Sequence, residues 1–379
     1  MANYTVQSPI ELKGLSKFFT LVFHRSLERT LWTFCELGIA DLMVDYGRPI
    51  TASELSQLNG NNWNANFLYR LLRFVADADI VKAVNTSDET ANQSDHLEET
   101  IRFQLTDDGL LLTSNHFSKA RDMIRIEFNP NGEKTYAYAP SLIKSGMKNG
   151  ASFEQAFGCD MFEYMKKDDN KEHATLFNNS MVTYSIHTIS SMAELVDFTR
   201  FKKIVDIAGG LGTLLSFVLE KNLNLHGILF DLPHVVENAK TIHPNEFQRK
   251  QIESNRYEFV AGDMFKPETI PQADVYMLKF ILHDWNDEKA LEILRSIRNA
   301  NQGEKEKTLT VVIIETIILS NDKDNWETHA MDVEMMINFG AKERTLSEYV
   351  HLLKQSGYEM KEVYKTQSFM SVIEATTTI

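Results

Sequence analysis

Apolar residues in the first half of the chain recur at helical spacing between short polar segments. Leu27 and Leu31 share one face of a predicted helix that ends at Gly38. Residues 51–54, Thr-Ala-Ser-Glu, predict a capping box, because a hydroxyl residue is followed three positions later by a glutamate. Another helix is predicted to begin near Asn64. This half of the chain is therefore expected to be helical.

A polar stretch from Asn85 to Glu99 follows, and the next apolar segment ends at Gly109. Helix, turn, helix and hairpin form the plan of a winged helix, which in other proteins binds DNA. The formal net charge of -14 opposes that function, and the predicted second helix offers only Arg70 and Arg73 as cations. We favour a module for packing and dimerisation and expect no nucleic-acid partner. DNA binding is the alternative.

From Phe201 onward, short apolar runs alternate with helical stretches, which is typical of a parallel α/β sheet. The last two runs, joined near Gln367 and Ser368, predict an antiparallel hairpin appended to that sheet. Seven strands are predicted: Lys203–Ile207, Gly227–Phe230, Tyr257–Val260, Val275–Leu278, Thr310–Ile314, Glu359–Thr366 and Phe369–Ala375.

Composition narrows the class of protein. A chain of 379 residues with 43% hydrophobic residues can bury a full core, and its length favours two domains. Cys35 and Cys159 are far apart in sequence, which favours a reducing compartment and excludes a zinc framework of the usual spacing. No leader and no apolar stretch of about 20 residues is visible, so we expect a cytoplasmic protein without a membrane partner.

The sequence from Val205 to Gly212 is Val-Asp-Ile-Ala-Gly-Gly-Leu-Gly, and it joins a strand to a helix. Such a loop lets the backbone approach a ligand, and Asp231 at the end of the next strand can take both hydroxyls of a ribose. A dinucleotide or S-adenosylmethionine would fit these features. Asp206 favours S-adenosylmethionine, because a carboxylate beside the loop repels a diphosphate and attracts a cationic sulfonium and amine.

Taken together, five segments resemble the plant-type O-methyltransferase family, whose relatives methylate phenols and hydroxyindoles. The resemblance covers both halves of the chain. It implies a Rossmann-like methyltransferase domain with a mostly parallel seven-stranded sheet and an N-terminal winged-helix dimerisation domain, and hence a homodimer. The segments are residues 205–212, 230–234 (Phe-Asp-Leu-Pro-His), 262–265 (Gly-Asp-Met-Phe), 279–285 (Lys-Phe-Ile-Leu-His-Asp-Trp) and 342–345 (Lys-Glu-Arg-Thr).

The resemblance also implies how S-adenosylmethionine is held. The loop 208–210 would wrap the methionine part, Asp231 would bind the ribose, and further residues would line the adenine or reach the donor. One departure is Ala208, where the family has glycine, and its methyl group is costly if the backbone φ is positive. The implied cofactor residues are Ala208, Gly209, Gly210, Asp231, Leu232, Asp263, Met264 and Lys279.

His283 is the candidate general base. It follows the predicted strand Val275–Leu278 at the sheet edge where ligands bind, and histidine accepts protons near neutral pH. It would lie near Lys279 if the intervening stretch is helical. Two carboxylates could hold its second nitrogen, and we rank Glu315 before Glu343. Asp284 is assigned no catalytic role, and no metal-ligand set is evident.

The acceptor pocket is the least readable part of the sequence. The resemblance places it on the linking helices and on the helix before Lys342, where methionines and aromatic rings suit a flat acceptor. We expect three segments: a dimerisation domain at 1–115, a helical linker at 116–200 and a catalytic domain at 201–379. An inert binding protein of the same fold and a dehydrogenase are the alternatives. The candidate acceptor residues are Phe162, Met181, Ser185, Trp285 and Met335.

Overall fold

The computed structural model describes residues 13–84, 96–192, 195–301, 308–319, 326–366 and 368–378. The chain forms two compact units. The N-terminal unit comprises Pro9–Gly132 and Glu172–Thr183, and the C-terminal unit comprises Glu133–Lys171 and Tyr184–Ile379. The expected linker at 116–200 is thus divided between the units, and the three-segment division remains a prediction. Most of the polar stretch that begins at Asn85, and the hairpin residue Gln367, lie outside the described residues.

The N-terminal unit contains the predicted helices and an antiparallel pair of strands after them, and a third strand, which was not predicted, precedes the helix that begins at Ala52. The Thr51 hydroxyl accepts the Glu54 N–H while the Glu54 carboxylate accepts the Thr51 N–H, which confirms the capping box. Three strands pair antiparallel in the order β1-β3-β2. The elements are α1 Leu15–Glu36, α2 Ile39–Tyr46, β1 Ile50–Thr51, α3 Ala52–Ser56, α4 Ala65–Ala76, β2 Val81–Val84, α5 Leu97–Thr100, β3 Arg102–Leu105, α6 Asp107–Leu110 and α7 Ala120–Glu127.

The first helix combines a buried end with an exposed apolar end. Phe34 and Cys35 belong to the core of the N-terminal unit. Near the other end of α1, Phe18, Phe19 and Phe23 are each more than 60% exposed. Large apolar groups in such a cluster mark a surface that binds another protein.

A run of helices connects the N-terminal elements to the large sheet. The longest, α12, passes from the N-terminal unit into the C-terminal unit. No helix of the described residues is both long and apolar enough to cross a membrane. The helices of this run are α8 Pro130–Tyr136, α9 Ala139–Ser145, α10 Ser152–Phe157, α11 Met161–Lys166 and α12 Lys171–Met192.

The C-terminal unit is built on a mostly parallel sheet with the strand order β10-β11-β8-β7-β4-β5-β6. All seven predicted strands are present, and β8 extends four residues beyond its predicted end, to Ile318. An eighth strand, β9, was not predicted and pairs with the end of β8. The strands are β4 Lys203–Ile207, β5 His226–Asp231, β6 Tyr257–Ala261, β7 Val275–Lys279, β8 Thr310–Ile318, β9 Arg344–Thr345, β10 Tyr358–Lys365 and β11 Met370–Thr377.

The central strands read as continuous apolar runs because helices cover the sheet. Residues of β4, β7 and β8 pack with α16 and α18 in one buried cluster. The terminal hairpin pairs antiparallel with β8 through β11, as predicted. The helices of the C-terminal unit after β4 are α13 Thr213–Lys221, α14 Pro233–Thr241, α15 Glu246–Arg249, α16 Asp287–Ala300, α17 Trp326–Phe339 and α18 Leu346–Ser356.

Candidate active site

The carboxyl ends of β4, β5 and β7 bring polar residues to one edge of the parallel sheet, where α/β folds bind ligands. Asp206 lies near the end of β4, Asp231 ends β5 and Lys279 ends β7. Burial raises the pKa of Asp206 to about 7 and lowers the pKa of Lys279 to about 8, although their charges attract each other. Both groups are therefore buried next to an opposite charge.

The loop after β4 is shaped for a closely approaching ligand. A Cβ atom at Gly209 would lie 2.5 Å from Leu229 Cδ1 and 2.7 Å from an Asp206 oxygen, so only glycine fits. Gly210 has a φ of 60°, and the space beside its Cα is open. Ala208, where the family has glycine, has a φ of 51°, and at such a positive φ the methyl group of alanine is destabilising. An alanine in this region is strained by about 1–2 kcal/mol.

Asp231 is held by the backbone on both sides. Its Oδ2 accepts the N–H of Gly210 at 2.9 Å, and its Oδ1 accepts the N–H of Leu232 at 2.6 Å. Burial raises the pKa of this carboxyl to about 6, and the two N–H groups oppose that shift. The carboxylate is thus fixed in orientation at the end of β5.

The loop after β6 contains Asp263 and Met264. Asp263 Oδ1 accepts the Phe265 N–H at 3.0 Å, and Lys266 Nζ lies 3.4 Å from Oδ2. Asp263 therefore caps its own turn. Met264 is half-buried and packs against the core of the sheet.

His283 lies in a short 3₁₀ turn, Leu282–Asp284, and the stretch from Lys279 to His283 is not an α-helix, so the condition for bringing these two residues together by helical spacing is not met. Phe280, which directly follows β7, has a φ of 55°, and its ring stacks on the imidazole at 4.8 Å and 4°. Lys279 Nζ lies 4.3 Å from the Phe280 ring centroid. Phe280, whose backbone conformation is strained, thus has its ring in contact with both Lys279 and His283.

Three carboxylates surround the imidazole. His283 Nδ1 lies 2.7 Å from Glu343 Oε1 and 3.5 Å from Glu315 Oε2. The other nitrogen, Nε2, lies 3.5 Å from Asp284 Oδ1. Burial alone would lower the pKa of His283, but these carboxylates outweigh it and raise the pKa to about 10. The imidazolium form is therefore strongly stabilised here.

The two glutamates have different contacts, and the hydrogen bonds reverse the order expected from sequence. Glu343 Oε1 makes the hydrogen bond to His283, and the Glu343 N–H donates to Asp332. Glu315 Oε1 accepts the N–H groups of Ile281 and Leu282 at 3.0 and 2.8 Å, which ties the turn to β8. Glu343 therefore holds the ring, and Glu315 holds the backbone beside it.

Asp284, to which the sequence analysis assigned no catalytic role, contacts the imidazole directly. Asn286 is the residue that caps α16, because its side chain accepts the Lys289 N–H. Burial raises the pKa of Asp284 to about 7, while His283 opposes the shift. The only sequence signal is its adjacency to His283. The partner on the Nε2 side of the ring is thus a carboxyl that titrates near neutral pH.

His283, Glu315 and Glu343 also meet the simplest requirement for a metal site, because one ligand atom of each lies within 4.8 Å of the others. Their spacing fits a hydrogen-bonded base better. Tetrahedral zinc with bonds of about 2.0–2.1 Å keeps its ligand atoms about 3.3 Å apart, whereas His283 Nδ1 and Glu343 Oε1 are 2.7 Å apart. We therefore interpret the cluster as a base with its carboxylate partners.

Of the candidate acceptor residues, Phe162 and Trp285 stack at 5.6 Å and 11°. Ser185 on α12 and Met335 on α17 are buried in the same C-terminal unit. Met181 is half-buried on the part of α12 that belongs to the N-terminal unit. The structure therefore brings Phe162 and Trp285 into direct contact.

Comparisons with known proteins show the family to which the chain belongs. A family model for an O-methyltransferase domain matches residues 136–359, and a model for an O-methyltransferase dimerisation domain matches residues 19–106. The tabersonine 16-O-methyltransferase of Catharanthus roseus is 31% identical over 351 residues, covering 89% of this chain and 90% of that protein. The phenazine O-methyltransferase of Lysobacter antibioticus is 30% identical over 347 residues, covering 92% of both chains.

A similar solved structure contains a bound methyl donor. An O-methyltransferase from neocarzinostatin biosynthesis, in complex with S-adenosylmethionine and 2-hydroxy-5-methyl naphthoic acid, is similar with a TM-score of 0.68 and 25% identity. The match covers 93% of this chain and 96% of that one. The chain described here belongs to the O-methyltransferase family and is an enzyme that transfers a methyl group from S-adenosylmethionine to a small-molecule hydroxyl.

Proposed function

We propose that the enzyme methylates the hydroxyl of a planar aromatic acceptor, with His283 as the general base. The observation that carries this proposal is the hydrogen bond of 2.7 Å between His283 Nδ1 and Glu343 Oε1. A proton on Nδ1 that is held by a carboxylate leaves the lone pair on Nε2. Nε2 is then the atom that takes the acceptor proton.

The raised pKa of His283 suits a phenolic proton. A phenol has a pKa of about 10, so an imidazole whose own pKa is about 10 takes its proton without a large uphill step. The same shift leaves little neutral imidazole at pH 7. When bound, S-adenosylmethionine supplies the methyl group and a sulfonium charge that lowers the pKa of a neighbouring imidazole. Glu343 stabilises the imidazolium as the acceptor oxygen forms its new bond.

The residues around the β4 loop fit S-adenosylmethionine. Asp206 Oδ2 is buried and has no hydrogen-bond partner among the described residues, which suits a carboxylate that binds a cationic ligand. The backbone of 208–210 would wrap the methionine part, and Asp231 would accept the ribose hydroxyls with its remaining lone pairs. Leu232, Asp263 and Met264 would line the adenine, and Lys279 would reach the donor.

The stacked rings of Phe162 and Trp285 support an aromatic acceptor, because flat apolar walls bind flat substrates well. Met181, Ser185 and Met335 are the other residues we assign to acceptor binding. By their names, the similar enzymes described above methylate tabersonine and a phenazine, and one solved structure holds a hydroxynaphthoic acid. A phenol or hydroxyindole is therefore the proposed class of acceptor.

We also propose a homodimer that acts in the cytoplasm. Of the exposed phenylalanines of α1, Phe19 and Phe23 lie at the start of the segment that matches the dimerisation-domain model, and Phe18 directly precedes it. Cys35 and Cys159 are free thiols, which supports a reducing compartment. Gel filtration of the full chain at micromolar concentration, with a variant carrying Phe18→Ser and Phe23→Ser as the control, tests the dimer. A wild-type monomer near 43.5 kDa would contradict it.

The proposed acceptor class is tested by transfer of labelled methyl groups into a panel of phenols, hydroxyindoles and aliphatic hydroxyacids. We expect product with members of the first two groups only. S-adenosylhomocysteine binding, measured by calorimetry on the same sample, checks that the cofactor site is intact. Methylation of aliphatic hydroxyacids alone would contradict the proposal.

A further inference from the structure

Arg344 is a fully buried cation placed against the turn that contains His283. Its Nη1 donates to the carbonyl oxygen of Leu282 at 2.6 Å, and its Nη2 donates to the carbonyl oxygen of Trp285 at 2.8 Å. Its Nε donates to Asp287 Oδ1 at 2.9 Å. One guanidinium thus holds the turn on both sides of the histidine and the start of the helix that follows.

The same residue belongs to the strand that positions Glu343. Arg344 pairs with Ile317 in the parallel ladder of β9 and β8, and Glu343 precedes it directly. The side chain of Arg344 therefore links the turn with the base to the strand beside the carboxylate that holds the base. This connection spans 62 residues of sequence between Leu282 and Arg344.

The chemistry of the contact requires an arginine. A buried cation is tolerated only if its donors are satisfied, and three separate acceptors in different directions match a planar fork. The ammonium group of a lysine is a point charge and cannot reach two carbonyls and a carboxylate with the same geometry. Substitution by lysine keeps the charge and removes the fork.

We propose that Arg344 is a positioning residue that fixes the His283 ring relative to Glu343. The proposal rests on the assignment of His283 as the base. It goes beyond that assignment because Arg344 touches neither the ring nor the reacting groups and acts through two backbone carbonyls. A residue that only stabilised the fold would change the free energy of unfolding and leave the properties of the ring in the folded enzyme unchanged.

The test compares Arg344→Lys with Lys342→Gln in the full-length enzyme. Lys342 is the matched control, because it lies in the same segment and pairs with the same Asp287 but makes no hydrogen bond to the turn. Asp287→Asn is a second variant, since it keeps the carbonyl contacts and loosens the Nε contact. Its side chain is 57% exposed, so the substitution is compatible with folding.

Three quantities are measured for each variant: kcat, the Kd for S-adenosylhomocysteine, and the titration of the His283 ring by ¹⁵N NMR, assigned with His283→Gln. For Arg344→Lys we expect kcat to fall by about 10–100-fold, as for a base displaced by about 1 Å, with a Kd within about twofold of wild type. The titration midpoint of His283 is expected to move. Asp287→Asn should change kcat and the His283 titration midpoint in the same direction as Arg344→Lys, but by a few-fold less. Lys342→Gln should change neither kcat nor the titration midpoint.

A folded Arg344→Lys enzyme with the wild-type kcat and the wild-type His283 titration would overturn the proposal. If that variant does not fold, an unchanged His283 titration in Asp287→Asn overturns it. The two assignments are separable. If His283→Ala keeps its activity while Arg344→Lys shifts the ring titration, the base assignment fails and the positioning contact stands.

Discussion

His283 Nδ1 and Glu343 Oε1 lie 2.7 Å apart although 60 residues separate them in sequence. The hydrogen bond is buried, and both side chains are at most 5% exposed. A charged acceptor strengthens such a bond and fixes the tautomer of the ring. The orientation of the proposed base therefore depends on Glu343, which directly precedes the short strand β9 that pairs with the end of β8.

Replacing Glu343 by glutamine should lower kcat by about 10²-fold or more, because the amide no longer stabilises the imidazolium and can force the wrong tautomer. Loss of this carboxylate also lowers the pKa of His283, so the acidic limb of the pH profile should move to lower pH. Steady-state kinetics between pH 6 and pH 10 measure both effects. Glu362→Gln, an exposed residue of β10, is the charge-matched control. A kcat within twofold of wild type would exclude Glu343 as the partner of the base.

The buried carboxyl of Asp206 should make stability depend on pH. Because its pKa rises from 3.8 to about 7 in the folded state, the native protein binds more protons than the unfolded chain between these values. The free energy of unfolding is therefore expected to fall as pH rises from 4 to 7. Asp206→Asn should weaken this dependence, since the neutral amide does not titrate in this range.

Urea denaturation of the donor-free enzyme at pH 5, 6.5 and 8 measures the effect of Asp206→Asn. The same variant should bind S-adenosylhomocysteine more weakly, because the orphaned carboxylate oxygen is lost. If the free energies of unfolding of wild type and variant differ by the same amount at all three pH values, Asp206 keeps an ordinary pKa.

Replacing Ala208 by glycine should stabilise the enzyme. The φ of 51° destabilises a folded alanine by about 1–2 kcal/mol. The greater conformational freedom of glycine in the unfolded chain offsets part of the stability gained by removing this strain. We expect a net increase of about 0.5–1 kcal/mol in the free energy of unfolding. Thermal and urea denaturation measure it, with Ala300→Gly near the end of α16 as a control that should destabilise. A loss of stability in Ala208→Gly would mean that the loop does not adopt this conformation.

Part of this account could be predicted from sequence because its signals are local. The capping box at Thr51, the strand ends and the glycine loop all depend on neighbours within a few residues. Ala208 marked a possible strain, but only the backbone angle decided it. The sequence ranked Glu315 before Glu343, whereas Glu343 makes the hydrogen bond to the ring, because the register that brings β9 beside β8 is a long-range property. The contacts of Arg344 with the His283 turn could not be predicted for the same reason.

The absence of a metal requirement is a further prediction. The spacing of His283, Glu315 and Glu343 fits hydrogen bonding, so methyl transfer should continue at an unchanged rate in a strong chelator. The assay follows labelled methyl transfer after dialysis against EDTA, with and without added Mg²⁺ or Zn²⁺. Activity that disappears on chelation and returns with Mg²⁺ would replace the histidine mechanism by one in which carboxylates hold a cation.

The central claim is that His283 takes the proton of the acceptor hydroxyl. Its most direct test is the rate of labelled methyl transfer by His283→Ala, measured together with calorimetric binding of S-adenosylhomocysteine and compared with His351→Ala, an exposed histidine on α18. The account predicts a fall of about 10²–10⁴-fold in kcat for His283→Ala, an S-adenosylhomocysteine affinity close to wild type, and full activity for His351→Ala. Wild-type methyl transfer by His283→Ala would contradict it.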